Sequence, residues 1–168
     1  MANIEFFNDS AASNPGATIA AIETLVKSDN RKMENGKWNK KKLNLLSHVT
    51  FPMSLILIAG GKDKNLNYGL LAQTIKTTPS VKKVILFGEN KNKIKSQIAN
   101  RKSQIKIELV KDLNAAVRFA YQSARKLINS STHQLITILF SPASASFDMF
   151  KNYEERGIAF KKLVKSLK

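Results

Sequence analysis

Short apolar runs alternate with helical patterns along most of this chain, and that alternation constrains the fold more than any other feature. Continuous runs of Val, Ile, Leu and Phe are typical of strands that are buried on both faces. Such strands belong to parallel sheets covered by helices on either side. The predicted strands are Ile4 to Phe7, Met53 to Ala59, Val81 to Phe87, Ile105 to Val110 and Leu135 to Phe140.

Helical spacing of apolar residues fills most of the segments between these strands. The first helix should begin at Asn14-Pro15, because Asn is a good N-cap and Pro suits the first helical position. The second should run from Tyr68 to Thr77, with Leu70, Leu71 and Ile75 buried. The remaining helices are predicted at Lys91 to Asn100, at Leu113 to Ile128 and around Phe160, Leu163, Val164 and Leu167.

The whole pattern predicts an α/β, Rossmann-like fold: a mostly parallel sheet with helices on both faces. A length of 168 residues suits a single domain over residues 1–168. Residues 27–50 lack the alternating pattern, and we interpret them as a basic insertion in that domain.

Polar turns follow three of the predicted strands, at residues 8–14, 60–64 and 141–146; we call these the strand-end turns. In a parallel sheet the carboxyl ends of the strands share one edge, and ligands bind there. In the second turn, Gly60 and Gly61 would let the backbone approach a ligand, and Lys62 and Lys64 could pair with its charge.

The third strand-end turn is the most distinctive. After Phe140 come small residues with frequent hydroxyls, and then a pattern that predicts a helix beginning after Ser146, with Phe147 and Phe150 on one side. A strand, a hydroxyl-rich turn and a helix N-terminus would together hold an anion. An ordinary strand-to-helix loop is the alternative that the residues alone leave open.

Composition excludes several function classes. The chain has no cysteine, and its two histidines, His48 and His133, are far apart, so we expect no metal site. It has no GxxxxGK[ST] motif for ATP phosphates. No signal peptide or membrane span is evident, so a cytoplasmic location without membrane association is expected.

The net charge of +16 would attract polyanions. The lysines are nevertheless scattered, and the densest cluster, from Lys27 to Lys42, lies in the unpatterned insertion. A solvated basic loop is the favoured interpretation over a nucleic-acid site. A basic module that binds nucleic acid or another polyanion is kept as the alternative function.

Three segments together resemble the C-terminal domain of the Mur ligases. They are NDSAASNPGAT (Asn8 to Thr18), LIAGGKDK (Leu57 to Lys64) and SPASASFDMFKNYEERG (Ser141 to Gly157). The likeness is greatest to the D-glutamate-adding branch, the UDP-N-acetylmuramoyl-alanine–D-glutamate ligases of peptidoglycan synthesis. It extends over nearly the whole chain apart from residues 27–50.

The resemblance implies a role in an ADP-forming ligase that uses ATP and Mg²⁺. Family members have three domains and join D-glutamate to UDP-N-acetylmuramoyl-L-alanine through an acyl phosphate. Their C-terminal domain binds D-glutamate, whereas the P-loop lies in the central domain. The resemblance therefore implies that this chain alone does not ligate and contains no catalytic residue. Its partners would be D-glutamate, UDP-N-acetylmuramoyl-L-alanine and the N-terminal and central ligase domains.

Residue roles also follow from the resemblance. Lys64 should pair with one carboxylate of D-glutamate, and Ser13, where the family has threonine, should add a hydroxyl. The other carboxylate would be held by Ser146, the backbone at Phe147, and Tyr153, where phenylalanine is usual. Asp9 falls where an acidic residue contacts the nucleotide ribose. The chain departs from the family at Ala11, which replaces a lysine, and at Ser144, which replaces a cysteine.

Overall fold

The computed structural model describes residues 4–35, 53–99, 105–129 and 135–167. These residues form an alternating series of strands and helices. The strands are β1 (Ile4–Asn8), β2 (Ser54–Gly60), β3 (Val81–Phe87), β4 (Lys106–Leu109) and β5 (Ile136–Phe140). The helices are α1 (Pro15–Asn35), α2 (Gly69–Thr77), α3 (Lys91–Ile98), α4 (Leu113–Asn129) and α5 (Tyr153–Lys165).

The five strands form one sheet in the order β1-β5-β2-β3-β4, and all its pairs are parallel. The predicted α/β, Rossmann-like fold is therefore confirmed. In this order the strands that precede the three strand-end turns, β1, β5 and β2, are immediate neighbours. The three turns consequently emerge side by side at the carboxyl edge of the sheet.

Two apolar cores cover the two faces of the sheet. On one face, α1, α2 and α3 pack residues such as Ile22, Leu71 and Ile94 against β2 and β3. On the other face, α4 and α5 contribute Val117 and Phe160, among others. Every residue of β2 and β5 is buried, because each of these central strands has a neighbour on both sides and helices above and below.

Most predicted element boundaries agree with the structure to within two residues, but α1 is longer than expected. It continues beyond Val26 to Asn35, through part of the predicted basic insertion. Its start is as predicted, since the Asn14 side chain accepts a hydrogen bond from the Ala17 N–H at 3.0 Å. The rest of the insertion, residues 36–50, lies outside the described residues, as do Trp38, His48 and His133.

Two local predictions are wrong. Leu70 is 72% exposed rather than buried, because the face of α2 that packs against the core carries Leu71, Ala72 and Ile75; the predicted burial of Leu71 and Ile75 is confirmed. No helix begins after Ser146: the Ser146 carbonyl accepts from the amides of Met149 and Phe150 in a single turn, and the helix starts at Tyr153. Asn152 explains this start, because its side chain caps the helix.

Candidate functional site

Backbone hydrogen bonds join the three strand-end turns directly. The Asp9 N–H donates to the Phe140 carbonyl at 2.8 Å, so the first turn is attached to the end of β5. The Gly60 N–H donates to the Pro142 carbonyl at 2.8 Å, and the Lys62 N–H donates to the Ala145 carbonyl at 2.9 Å. The predicted clustering of these turns at one edge of the sheet is confirmed.

The packing of these turns requires glycine at positions 60 and 61. A Cβ at Gly60 would lie 1.9 Å from the Phe87 carbonyl oxygen, and one at Gly61 would lie 2.3 Å from the Ala145 carbonyl oxygen. Both residues also have positive φ, at 119° and 155°. The space beside them is filled by neighbouring backbone, so no side chain fits at either position, and the approach of a ligand to this turn stays a prediction.

A buried carboxamide, Asn90, links the second and third strand-end turns. Its side-chain oxygen accepts from the Gly61 N–H at 2.9 Å, and its backbone N–H donates to the Gly61 carbonyl at 3.1 Å. The Asn90 amide nitrogen donates to the hydroxyls of Tyr68 and Ser144, which are also buried. The turn that follows β3 thus supports the loop that carries Lys64.

Arg156 links the first and third strand-end turns from beneath. Its side chain is fully buried and donates three hydrogen bonds: to Ser10 Oγ at 3.1 Å, to the Ser10 carbonyl at 2.7 Å and to the Ser144 carbonyl at 2.9 Å. Burial lowers its pKa from the ordinary value of an arginine to about 10. The guanidinium therefore remains charged at neutral pH.

Glu154 and Glu155, which the sequence places either at the helix N-terminus or in a salt bridge with Arg156, occupy the first turn of α5. Glu155 accepts from the Lys151 N–H at 2.7 Å, and the Asn152 side chain accepts from the Glu155 N–H at 2.8 Å. These bonds satisfy amides at the helix start that would otherwise lack partners. Of the two expected roles, the one at the helix N-terminus is observed.

Lys62 and Lys64 stand in different environments within the second turn. Lys62 Nζ lies 2.7 Å from Glu89 Oε2, and the hydrogen bond to Glu89 raises the pKa of Lys62. Lys64 is exposed, makes no ion pair with any described residue and places its Nζ 5.2 Å from the centre of the Phe147 ring. Of the two, Lys64 is the ammonium available for an incoming carboxylate.

The structure brings some of the predicted site residues into contact and leaves others apart. Lys64 and Phe147 are in contact, and Phe147 is 61% exposed, whereas Ser146 beside it is buried. Tyr153 is 47% exposed, and its carbonyl accepts from Ser10 Oγ at 2.7 Å. Ser13 is exposed in the first turn, three residues after Ser10.

Asp9 belongs to a separate group of hydrogen bonds at the ends of β1 and β5. Asp9 Oδ2 accepts from Ser141 Oγ at 2.8 Å, and Ser141 Oγ is 2.9 Å from Thr18 Oγ1. Ser141 and Thr18 are both fully buried. The Ser141 hydroxyl therefore holds the carboxylate at the rim of the sheet, and Thr18 supports Ser141 by donating to its carbonyl at 3.2 Å.

Asp148 lies two residues beyond the third strand-end turn and bonds the turn that follows β3. It is half-buried, and burial raises its pKa above the ordinary value. Its Oδ2 accepts from the Glu89 N–H at 3.3 Å and would lie 2.6 Å from a Cβ at Gly88. The Asp148 carboxylate would repel a dianionic ligand. The Lys64 ammonium and the hydroxyls of the strand-end turns would have to offset that repulsion.

Sequence reasoning missed Asn90, Tyr68, Ser10 and the structural role of Arg156. Asn90 follows the end of β3 just as the three recognised turns follow their strands, so its position at the carboxyl edge was the available signal. Nothing in the pattern around Tyr68 or Arg156 indicates which distant groups they bond.

Neither a metal cluster nor a membrane span occurs in the described ranges. Residues 4–35, 53–99, 105–129 and 135–167 contain no group of three or more His, Asp or Glu side chains that could hold a metal ion. Within the same ranges, no helix combines the length and the hydropathy needed to cross a bilayer.

Comparison with known proteins gives a consistent set of relatives. The chain is 34% identical over 165 residues to the UDP-N-acetylmuramoylalanine–D-glutamate ligase of Ruminiclostridium cellulolyticum. It is 36% identical over 166 residues to that of Caldanaerobacter subterraneus subsp. tengcongensis and 34% identical over 170 residues to that of Acetivibrio thermocellus. No protein-family model matches the chain.

Each alignment covers 98% of this chain but only 29% of the relative. The matched part is therefore the size of one domain within a much longer enzyme, in keeping with the single parallel sheet described above. Over nearly its whole length, the chain is homologous to a domain-sized part of these Mur ligases.

Proposed function

We propose that this chain is the C-terminal, D-glutamate-binding domain of a cytoplasmic, ADP-forming UDP-N-acetylmuramoyl-L-alanine–D-glutamate ligase of peptidoglycan biosynthesis. The observation that carries the proposal is the position of Lys64. It is an exposed ammonium without an ion pair among the described residues, and it stands against Phe147 where the second and third strand-end turns meet. The homology to D-glutamate ligases supports the same assignment.

The chemistry of the site suits an amino acid with two carboxylates. Lys64 and the Ser13 hydroxyl would hold one carboxylate through charge-assisted hydrogen bonds. Ser146, the backbone N–H of Phe147, and Tyr153 would hold the other. The D-glutamate amine would be left facing outward from the sheet edge, toward the rest of the ligase.

The contribution to catalysis would be positioning. Fixing the amine beside an acyl phosphate formed elsewhere converts an encounter in solution into an attack within one complex. In that attack the amine nitrogen bonds to the acyl carbon and inorganic phosphate leaves. ATP and Mg²⁺ would be held mainly by parts of the ligase outside this chain, with Asp9 contacting the nucleotide ribose.

An NMR titration with D-glutamate tests this proposal. We expect backbone amide shifts at Ser13, Lys64, Ser146 and Tyr153, and no comparable shifts with L-glutamate at the same concentrations. Lys64→Ala should raise the Kd at least about tenfold, because it removes a hydrogen bond between two charged groups. The control is Lys126→Ala, which removes an exposed lysine from the last turn of α4.

Two results would overturn the proposal. One is a Kd for D-glutamate that Lys64→Ala does not change, which would remove the assigned carboxylate partner. The other is the absence of any shift at the strand-end turns together with shifts in residues 27–42 on addition of an oligonucleotide. That second result would favour the basic-module function instead.

A further inference from the structure

Arg156 is a buried cation without a bonded acid. Its guanidinium forms no ion pair among the residues that the structure describes, and its three hydrogen bonds go to one hydroxyl and two backbone carbonyls. Among the described residues, Asp148 stabilises its charge through space, without a hydrogen bond to it. Burying an unpaired charge is costly, and here three hydrogen bonds to the guanidinium offset part of that cost.

The groups that Arg156 bonds lie on the segments that carry three of the proposed ligand contacts. Ser10 belongs to the turn of Ser13, and Ser144 precedes Ser146 by two residues. Ser10 Oγ accepts from Arg156 Nε and donates to the Tyr153 carbonyl, so it closes a ring of hydrogen bonds with the start of α5. The Asn8 side chain adds a fourth link, to the Gly157 carbonyl at 3.0 Å.

We propose that Arg156 is a positioning residue for ligand binding, which holds the segments bearing Ser13, Ser146 and Tyr153 in the one arrangement that receives a carboxylate. It does this from beneath the strand-end turns, without touching the ligand. This inference rests on the proposed function, because the carboxylate contacts are those assigned there.

The geometry requires an arginine. Three donors leave one planar group in different directions, and each reaches a different acceptor at 2.7 to 3.1 Å. A lysine ammonium carries its three donors on one nitrogen at the end of a flexible stem, so it does not reproduce the separate positions of the three guanidinium nitrogens. Arg156→Lys should therefore keep the charge but lose the connection between the turns.

The test compares D-glutamate affinity and stability in matched variants of the chain. We expect Arg156→Met to raise the Kd for D-glutamate at least about tenfold and Arg156→Lys to recover only part of that loss. Ser10→Ala is a milder variant that removes one acceptor of Arg156 and the bond to Tyr153, and it should weaken binding by a smaller factor. It keeps the test available if the Arg156 variants do not fold.

A core variant separates positioning from general stability. Ile98 is buried in α3, on the face of the sheet opposite α5, so Ile98→Val or Ile98→Ala can be chosen to match the stability loss of the Arg156 variant. We expect this control to keep the wild-type Kd. The Nε–H resonance of Arg156 provides a spectroscopic check, and its slow exchange with water should be lost in Ser10→Ala.

The outcomes are distinguishable. Wild-type chain that fails to bind D-glutamate refutes the proposed function, and the inference falls with it. Wild-type chain that binds, with folded Arg156→Met or Ser10→Ala binding equally well, overturns the inference alone. Weakening by the control variant equal to that of its matched Arg156 variant also overturns it, because the effect would then be one of stability.

Discussion

Asp148 shows how burial beside the strand-end turns changes the behaviour of a single residue. Burial raises the pKa of this carboxyl above the ordinary 3.8, even though Arg156 and the Glu89 N–H favour its charged form. Asp63, in the second strand-end turn, behaves in the opposite way. The hydrogen bond from Lys93 holds its pKa below the ordinary value.

These two shifts predict opposite pH dependences of stability. Between 3.8 and the raised pKa of Asp148, the folded chain binds more protons than the unfolded chain, so this group's contribution to stability falls as the pH rises. Asp148→Asn should therefore gain stability relative to wild type as the pH rises from about 3 to about 7. Asp63→Asn should lose stability relative to wild type over the same rise, since the ionised Asp63 is stabilising. Urea unfolding at several pH values measures both differences.

This prediction depends on how the stability difference between Asp148→Asn and wild type changes with pH. A difference between wild type and Asp148→Asn that stays constant with pH would show that burial does not perturb this carboxyl. Asp63→Asn serves as the control, because its slope should have the opposite sign under identical conditions.

Gly60 is the second residue with a sharp prediction. Its φ is 119°, and a Cβ at this position would lie 1.9 Å from the Phe87 carbonyl oxygen, so no side chain fits without movement of β2 or β3. Gly60→Ala should lower the free energy of unfolding by about 3 kcal/mol or more, or prevent folding. Denaturant unfolding measures the loss.

Gly16 is the matched control for that substitution. It lies in the first turn of α1, without positive φ, and its nearest neighbour would be the Asn14 side-chain oxygen at 3.3 Å. Gly16→Ala should change stability by no more than about 1 kcal/mol. A loss as large as that of Gly60→Ala would mean that the strand-end packing is not what requires glycine.

At the level of elements, the start of α5 determines where Tyr153 lies. Asn152 caps the helix, and Glu155 accepts a hydrogen bond from the Lys151 N–H. The pattern of Phe147 and Phe150 predicts an earlier start. Residues 146–150 instead form a single turn, in which the Ser146 carbonyl accepts from the amides of Met149 and Phe150, and no helix continues from it. The strong cap at Asn152 outweighs a weak apolar periodicity.

Removal of the Asn152 cap should therefore loosen the start of α5. Asn152→Ala should cost about 1 kcal/mol of stability, the usual value for losing an Asn cap. Amide hydrogen exchange should become faster at Tyr153 to Arg156, where helix formation begins. Lys151→Ala, which alters the exposed neighbouring side chain, should leave both stability and exchange rates at wild-type values. Unchanged exchange in Asn152→Ala would show that the other contacts of α5, such as the packing of Phe160 and the hydrogen bonds with Ser10, fix the helix start without the cap.

How far the sequence predicts this architecture depends on the range of the interactions. The strands and most helices follow from local apolar patterns, and their alternation is sufficient for the parallel order of the fold class and for the shared edge of the three turns. The prediction for Leu70 is wrong because two adjacent leucines do not show which of them faces the core, and α2 packs Leu71 rather than Leu70 inward. The side chains of Asn90 and Arg156 form hydrogen bonds with residues up to 146 positions away, and no local pattern encodes such partners.

On the scale of the whole molecule, charge and site must be considered separately. The net charge of +16 will draw polyanions at low salt whatever the fold does. The proposed ligand site depends instead on a few groups at one edge of the sheet. The basic-module alternative depends on the cluster from Lys27 to Lys42, part of which lies outside the described residues.

A set of charge-removing substitutions tests that separation. Replacement of four lysines by glutamine should weaken oligonucleotide binding at low salt and leave the Kd for D-glutamate unchanged, because these lysines belong to none of the strand-end turns. The four are Lys37, Lys40, Lys41 and Lys42. Fluorescence anisotropy measures the first effect and NMR titration the second. A loss of D-glutamate binding in this variant would mean that the insertion contributes to the site.

We propose that this chain supplies the D-glutamate-binding part of a ligase whose other parts lie outside it. The most direct measurement is D-glutamate-dependent ADP release by a chimera, in which this chain replaces the homologous segment of the Ruminiclostridium cellulolyticum enzyme. We expect the chimera to release ADP with D-glutamate. This release should be lost in the Lys64→Ala chimera and kept in the Lys126→Ala chimera. A folded chimera that binds ATP and UDP-N-acetylmuramoyl-L-alanine but releases no ADP with D-glutamate would contradict the proposal.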